Sequence, residues 1–277
     1  MFKLMTISDI IDLHKGKPAI ISCHGPSGDE NIDKINDLHQ KDKVVVFGIN
    51  EWWAFEKHPR PDYWVRAHTG SNGGYVIEKD FDYFNKWTEG RIPLLNCDTV
   101  DRTSLETAEI VLNSPYLPFD NRHFNGKTCA ENYDEVKWYI GSKNFTFFKN
   151  CCERRGRLTI QEEFKKYTNH SELVSSNTGT AAVFMFNFAV LMGCNPIYVN
   201  GMDLTYNSKG GVYGKLKDGI SLTHNFNPNL NDWIGGSKRK FVMRDFRIIN
   251  EGAKNIGVDI LNLNHNTWYG IFENGNL

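Results

Sequence analysis

The chain has no excess of charge of either sign: 32 lysines and arginines stand against 33 aspartates and glutamates in 277 residues, a formal net charge of −1. No whole-molecule field draws it to nucleic acid or to an anionic surface, which leaves only local patches for that purpose. It also lacks any apolar run near the ~20 residues that a membrane-spanning helix requires. The opening stretch MFKLMTISDIIDLHKGK is broken by Asp9, Asp12 and His14, so it does not form the continuous apolar core of a secretion signal. A soluble, cytoplasmic protein is expected. The six cysteines, at positions 23, 97, 129, 151, 152 and 194, contain no CxxC pair and no histidine partners at metal-ligand spacing. Neither disulfides nor zinc are expected, and the vicinal pair Cys151 and Cys152 reads as small half-buried thiols. Internal repeats and low-complexity segments are absent as well.

What the chain does have is apolar material for a core, 40% hydrophobic and 13% aromatic residues. That suits one large α/β domain over residues 1–277. The Ile-rich run PAIISC (18–23) is followed by a polar helical stretch from Asp29 to Gln40 and then by KVVVFGI (43–49). Strand, turn, helix and strand in that order form a βαβ unit, the building block of a parallel sheet. Further strands are expected at Tyr63–Arg66, Pro93–Cys97, Pro196–Asn200 and Val258–Leu263. The stretch Thr180–Met192 is apolar almost all round and is followed by Gly193, where a helix C-cap glycine belongs. Residues 241–255 carry apolar positions at helical spacing and run on to Gly257, which predicts a crossover helix into the last strand. The expected fold is a Rossmann-like, open, mostly parallel α/β sheet. Between its last two helices, residues 205–240 are rich in Gly, Asn, Lys and Pro and too long for a simple connection, which marks them as a lid or acceptor-binding loop.

Three segments fall at predicted strand C-termini, the edge where open α/β sheets bind ligands. The first is Ser22-Cys23-His24-Gly25-Pro26-Ser27-Gly28. Its glycines permit close backbone approach, Ser27 offers a hydroxyl, and amides at the start of the next helix favour phosphate. The same residue types also mark an ordinary turn. The second is Asn50, whose amide both donates and accepts, as a base or ribose requires, although asparagine is common where strands stop. The third is Gly201-Met202-Asp203, whose carboxylate suits a ribose, an acceptor hydroxyl or a general base, and equally the capping of a helix or turn.

The segments IISCHGPSG, VVVFGIN and TAAVFMFNFAVLMGCNPIYVNGMDLTY, in this order, resemble bacterial lipooligosaccharide sialyltransferases. They are also similar to the wider group of motility-associated glycosyltransferases and archaeal-type hydroxymethylpterin pyrophosphokinases, which share a GxGPS turn, a strand-end Asn and a Gly-x-Asp strand end. The match covers about a third of the chain. It implies a fold of the nucleotide-sugar transferase type, with a cytidine nucleotide held by Gly25, Pro26, Ser27, Asn50, Gly201 and Thr180. His24 stands where those sialyltransferases carry Asn, and Ala181 where they carry Ser. Tyr206 and Tyr213 fall near two lid tyrosines that grip the donor phosphate.

The resemblance also has gaps. The sialyltransferases use a lid histidine as general base, and the corresponding segment here, Trp233-Ile234-Gly235-Gly236, has glycine. His224, on the same lid in SLTHNFNP, and Asp203 are the candidate replacements, a histidine near neutrality being suited to deprotonating a hydroxyl. A solvated loop histidine is the plainer account of His224. His68 stands where the pyrophosphokinases tend to carry a metal-binding Asp, which disfavours a magnesium-dependent kinase. The expected activity is therefore metal-independent transfer of a sugar from a CMP- or UDP-linked donor to a hydroxyl on glycan, protein or a modified DNA base. An ATP- and magnesium-dependent diphosphotransferase and a non-catalytic nucleotide-binding module are the alternatives, and a homo-oligomer is compatible with all three. The clusters Arg154-Arg155-Gly156-Arg157 and Lys238-Arg239-Lys240 would suit an anionic acceptor, or are solvated loop charge.

Overall fold

The computed structural model describes residues 3–4, 9–10, 12–23, 25–49, 55–58, 60–66, 86, 92–96, 115–118, 182–203, 237–265 and 270–277. Their strands are β1 (Lys3–Leu4), β2 (Ala19–Ser22), β3 (Val45–Ile49), β4 (Tyr63–Arg66), β5 (Leu94–Asn96), β6 (Pro115–Pro118), β7 (Ile197–Asn200), β8 (Ile260–Asn262) and β9 (Glu273–Asn274). A 3-10 turn (Pro26–Asn31) leads into α1 (Ile32–Gln40); α2 (Ala182–Leu191) precedes β7, and α3 (Ser237–Asn255) precedes β8. One open sheet takes in all nine strands, in the order β1-β6-β5-β4-β3-β2-β7-β8-β9. Every pairing in it is parallel.

Strand side chains alternate between two faces, and the core divides accordingly. Ala19, Ile21, Val45, Phe47, Tyr63, Val65, Ile197, Val199 and Ile260 pack with α2 and α3. Their neighbours Ile20, Val46 and Tyr198 pack on the other face with Ile35 and Leu38 of α1. A parallel sheet covered on both faces needs strands that are apolar throughout, which is why β2 and β3 are continuously buried and do not alternate with polar residues. The helices follow the same logic. In α2, Ala182, Met185, Phe186, Phe188, Ala189, Val190 and Leu191 are all buried. The α3 helix has two faces, with Phe246, Ile249 and Ala253 in the core and Arg247, Glu251 and Lys254 in solvent. Phe186, Phe246 and Phe272 form a ring cluster with centroids 5.5–6.0 Å apart, locking α2, α3 and the C-terminal segment together.

Each expected strand is present within a residue or two of its predicted ends. The two expected glycine stops are present too, since Gly193 and Gly257 have φ of +75° and +77°, the left-handed conformation of a helix C-cap. Three strands were not anticipated. The pairs Lys3–Leu4 and Glu273–Asn274 are too short to show a period, and Pro115–Pro118 begins and ends in proline, which argues against a strand interior.

Candidate functional site at the switch point of the sheet

From β2 the chain moves to β3 and outward on one side, and β7 later joins β2 on its other side. The carboxyl ends of β2 and β7 thus flank the point where the direction of winding reverses, and a parallel α/β sheet opens its ligand crevice there. Register places Ser22 beside Asn200. The residues that follow each strand, Cys23–Gly28 and Gly201–Asp203, are the first and third sequence segments, and they meet.

They meet through hydrogen bonds between segments far apart in the chain. The Cys23 amide donates to the Asn200 carbonyl at 2.9 Å, and the Gly25 amide to the Gly201 carbonyl at 2.7 Å. Asp203 receives the Ser27 amide on Oδ2 at 2.8 Å and the Ser27 hydroxyl on Oδ1 at 2.5 Å. The turn begins with Gly25 in extended geometry and Pro26 at the first helical position, where a missing N–H costs nothing. Gly25 has no side chain to cap the exposed amides that follow. Asp203 does so from 176 residues away, accepting from the N–H at the second position of the turn as an N-cap side chain ordinarily would. Asp203 is 7% exposed, so its carboxylate is committed to this contact in a mostly dry setting.

Close packing explains the glycines. A Cβ on Gly25 would sit 2.3 Å from Asp203 Oδ2 and 2.4 Å from the Gly201 carbonyl oxygen. Gly201 has φ of +69°, and a Cβ there would meet the Cys23 carbonyl oxygen at 2.6 Å. Both positions thus require glycine, Gly25 for space and Gly201 for space and conformation.

A second layer of contacts was not foreseen from sequence. Asn264, after β8, accepts the Gly201 amide on Oδ1 at 2.7 Å and donates from Nδ2 to the Ser27 carbonyl at 2.8 Å. Asn200 donates to the Gly28 carbonyl at 2.9 Å. Both asparagines are fully buried. The only signal in the sequence was the density of asparagine in LNLNHN, which by itself reads as loop.

The turn's own amides are largely engaged. Those of Gly25, Ser27 and Gly28 donate to the Gly201 carbonyl, Asp203 and the Gly25 carbonyl, and Pro26 has none. The anion position at the start of this turn is therefore filled by Asp203, and a phosphate would need donors from elsewhere. Cys23 is no nucleophile candidate, because burial, with the Asp203 carboxylate adding to it, pushes its thiol up to about 12. Cys194 is likewise pushed up to about 12 by burial.

Of the sequence candidates, Gly25, Pro26, Ser27, Gly201 and Asp203 come together here. β3, which Asn50 follows in sequence, lies next to β2. Asn50 itself, His24, His68, Thr180, Tyr206, Tyr213 and His224 lie outside the described residues, as do Cys151, Cys152 and the arginines at 154, 155 and 157. Lys238, Arg239 and Lys240 belong to the first turns of α3. Among the described residues no group of three or more His, Cys, Asp or Glu side chains is placed to hold a metal ion, and no helix is long and apolar enough to cross a membrane.

Fold and site together define an open, all-parallel α/β protein with a braced polar junction at its switch point. No protein-family model matches the chain, and no curated protein matches it. Solved structures do. A structure of the sialyltransferase CstII from Campylobacter jejuni with the substrate analogue CMP-3FNeuAc aligns at 14% identity and TM-score 0.48, covering 94% of this chain and 89% of that one. A crystal structure of CST-II with a trisaccharide acceptor and CMP gives 14% identity and TM-score 0.47 over the same shares. The MAf glycosyltransferase from Magnetospirillum magneticum AMB-1 gives 12% identity and TM-score 0.44, covering 92% of this chain and 33% of that one.

Proposed function

We propose that the protein is a glycosyltransferase that takes a sugar from a CMP- or UDP-linked donor and places it on an acceptor hydroxyl. The observation carrying this reading is the meeting of the Gly25-Pro26-Ser27 turn with Gly201-Met202-Asp203 at the switch point. These are two of the three segments on which the sialyltransferase resemblance rests, and they are joined at the ligand edge of the sheet. Gly25, Pro26, Ser27 and Gly201 shape the donor seat, and His24, Asn50, Thr180, Tyr206 and Tyr213 complete it from segments adjoining the crevice in sequence.

Both Asp203 oxygens are engaged by Ser27. A carboxylate so held serves better to fix the turn than to take a proton, so the general base in this reading is His224. Donor binding aligns the anomeric carbon with the acceptor hydroxyl, His224 removes the hydroxyl proton, and the nucleotide leaves with its phosphate. Donors from the 205–240 segment stabilise the departing charge. Acceptor classes are glycan, protein or modified DNA base.

The test is a panel of CMP, UMP, GDP and ATP in thermal unfolding, followed by incubation with the matching nucleotide sugars. A ligand at one hundred times its dissociation constant adds about 2.7 kcal/mol of stability, roughly 5–10 °C for a chain of this size. Stabilisation by CMP or UMP with release of nucleotide from the cognate sugar supports the reading. Stabilisation by ATP alone, with magnesium-dependent AMP release, would assign the chain to the diphosphotransferases. Binding without turnover that persists unchanged in His224→Ala would make it a non-catalytic module.

A further inference from the structure

The candidate seat is braced by a side chain that belongs to neither motif. We propose that Asn264 is a positioning residue, a cross-brace that fixes the Ser27 turn relative to the end of β7. The brace stands on geometry alone, and its consequence for ligand rests on the nucleotide-binding reading above.

Asn264 is fully buried and makes one bond to each motif: the Gly201 N–H into Oδ1 at 2.7 Å, and Nδ2 to the Ser27 carbonyl at 2.8 Å. One of those backbone groups lies two residues before Asp203 and the other on Ser27 itself, the two partners of the Asp203–Ser27 contact. Only a primary amide can accept at one atom and donate at the other in this geometry. Aspartate keeps the acceptor and loses the donor, alanine loses both, and glutamine adds a methylene in a fully buried position. The brace is itself held. The Asn262 side chain donates to the Asn264 carbonyl at 2.9 Å and accepts the Asn264 amide at 3.2 Å, fixing the backbone of the loop. Asn264 Nδ2 also lies 3.4 Å from Glu30 Oε2 and from Asn200 Oδ1, and Asn31 Nδ2 lies 3.4 Å from that same Asn200 oxygen. Four uncharged amides thus tie β7, β8 and the turn into one polar unit. A plain structural asparagine exists for comparison at the opposite edge of the sheet. Asn195 also bridges two backbone groups, donating to the Gly257 carbonyl at 3.0 Å and accepting the Asp259 amide at 3.1 Å.

The experiment compares 15N-labelled wild type, Asn264→Ala, Asn264→Asp and Asn195→Ala, reading hydrogen exchange at the Gly201 amide, the 15N shift of Gly28 and the dissociation constant for CMP. The Gly28 nitrogen shares its peptide group with the Ser27 carbonyl, so it reports that bond. In Asn264→Ala, exchange at Gly201 is expected to rise and CMP binding to weaken, each by about tenfold, the loss of roughly one well-made buried hydrogen bond. In Asn264→Asp, Gly201 stays protected while the Gly28 shift moves, a split that general loosening of the fold would not produce. Asn195→Ala leaves Gly201, Gly28 and CMP affinity as in wild type. Unchanged Gly201 exchange and Gly28 shift in Asn264→Ala would overturn the brace, as would equal weakening of CMP binding in Asn264→Ala and Asn195→Ala. Should Asn264→Ala not fold, the Asn264→Asp split decides alone. Wild type that binds none of CMP, UMP, GDP and ATP would sink the nucleotide reading, while the amide readings still decide the brace.

Discussion

The two edges of this sheet are held in different ways. At the amino edge, residues 12–17 lie along the connection from α2 to β7 through backbone bonds. The amides of Asp12, His14 and Gly16 donate to the carbonyls of Leu191, Met192 and Gly193 at 2.8–2.9 Å. The side chains there make an exposed ion pair, Lys17 with Asp42 at 2.5 Å, and a half-buried hydrogen-bond contact, His39 Nε2 with Asp62 Oδ2 at 3.1 Å. The carboxyl edge has backbone joints too, from Cys23 to Asn200 and from Gly25 to Gly201, but it adds side-chain joints from Asp203, Asn200 and Asn264, two of them fully buried. The side-chain joints of the amino edge, Asn195 to Gly257 and Asp259, and Asp62 to the Val46 amide, are exposed or half-buried. An exposed joint that loses its side chain can be replaced by water, whereas a buried one leaves a polar group without a partner. The carboxyl edge is thus the one whose geometry rests on single buried side chains.

The largest effect that would sharpen this contrast is a pair of glycine substitutions. Gly201→Ala meets both a left-handed φ of +69° and a carbonyl oxygen at 2.6 Å. Strain and overpacking together should cost about 3–4 kcal/mol in urea unfolding. Gly257→Ala at the amino edge has φ of +77° but nothing within 4 Å of the added carbon. Only the conformational cost of roughly 1 kcal/mol applies there. Equal losses would break the comparison.

Next in size is Asp203→Asn. It turns one acceptor toward Ser27 into a donor, leaving the Ser27 amide or hydroxyl without its partner, at a cost of about 1–3 kcal/mol. CMP affinity should fall with it, since the turn is no longer pinned. Asp42→Asn, which removes a fully exposed charge from the amino edge, should leave CMP affinity unchanged.

A smaller effect is the pH response of the amino edge. His14 shares a hydrogen bond at 2.7 Å between its Nε2 and the Tyr63 hydroxyl, with Lys17, Asp42 and Asp62 around it. Burial holds its pKa below the ordinary value of 6.5, only partly offset by Asp62. A depressed histidine favours the neutral folded form. Its contribution is therefore present above the unfolded pKa near 6.5 and declines as pH falls below that value. Thermal unfolding between pH 7.5 and 5 should show this decline, and His14→Gln should flatten it. A steeper decline in the variant would contradict the assignment.

The smallest effect is that of Asp42, held below the ordinary carboxylate range by its hydrogen bond to Lys17. Its contribution is present above the unfolded value near 4 and lost as pH falls through the depressed folded value. Because the carboxylate is exposed, moderate salt should erase it, and a persistent effect at high salt would count against a surface pair.

Sequence and structure agree most where one local rule decides the outcome. Ile20, Ile21 and Val45–Ile49 are apolar on both faces because a doubly covered parallel strand demands it, and Gly193 and Gly257 terminate helices because few other residues accept their φ. The two motif segments were visible as polar strand ends, although nothing local revealed that Ser27 and Asp203 would bond to each other. That pairing depends on β7 inserting beside β2, a topological fact spread over 176 residues. Asn262 and Asn264 escaped notice because an asparagine in a loop and one bracing a buried turn look alike in sequence. Ser27 itself, read as a hydroxyl for ligand, proves to spend that hydroxyl on Asp203.

The central claim, that the nucleotide seat lies at the carboxyl edge between β2 and β7, is tested most directly by titrating CMP into 15N-labelled protein and mapping the amide shifts. The account predicts saturable changes at Gly25, Ser27, Gly28, Gly201 and Asp203, with Lys15, Gly16, Lys17, Gly193 and Asn195 unmoved. Shifts concentrated at the amino edge, or none at either edge with CMP or with UMP, GDP and ATP in its place, would contradict it.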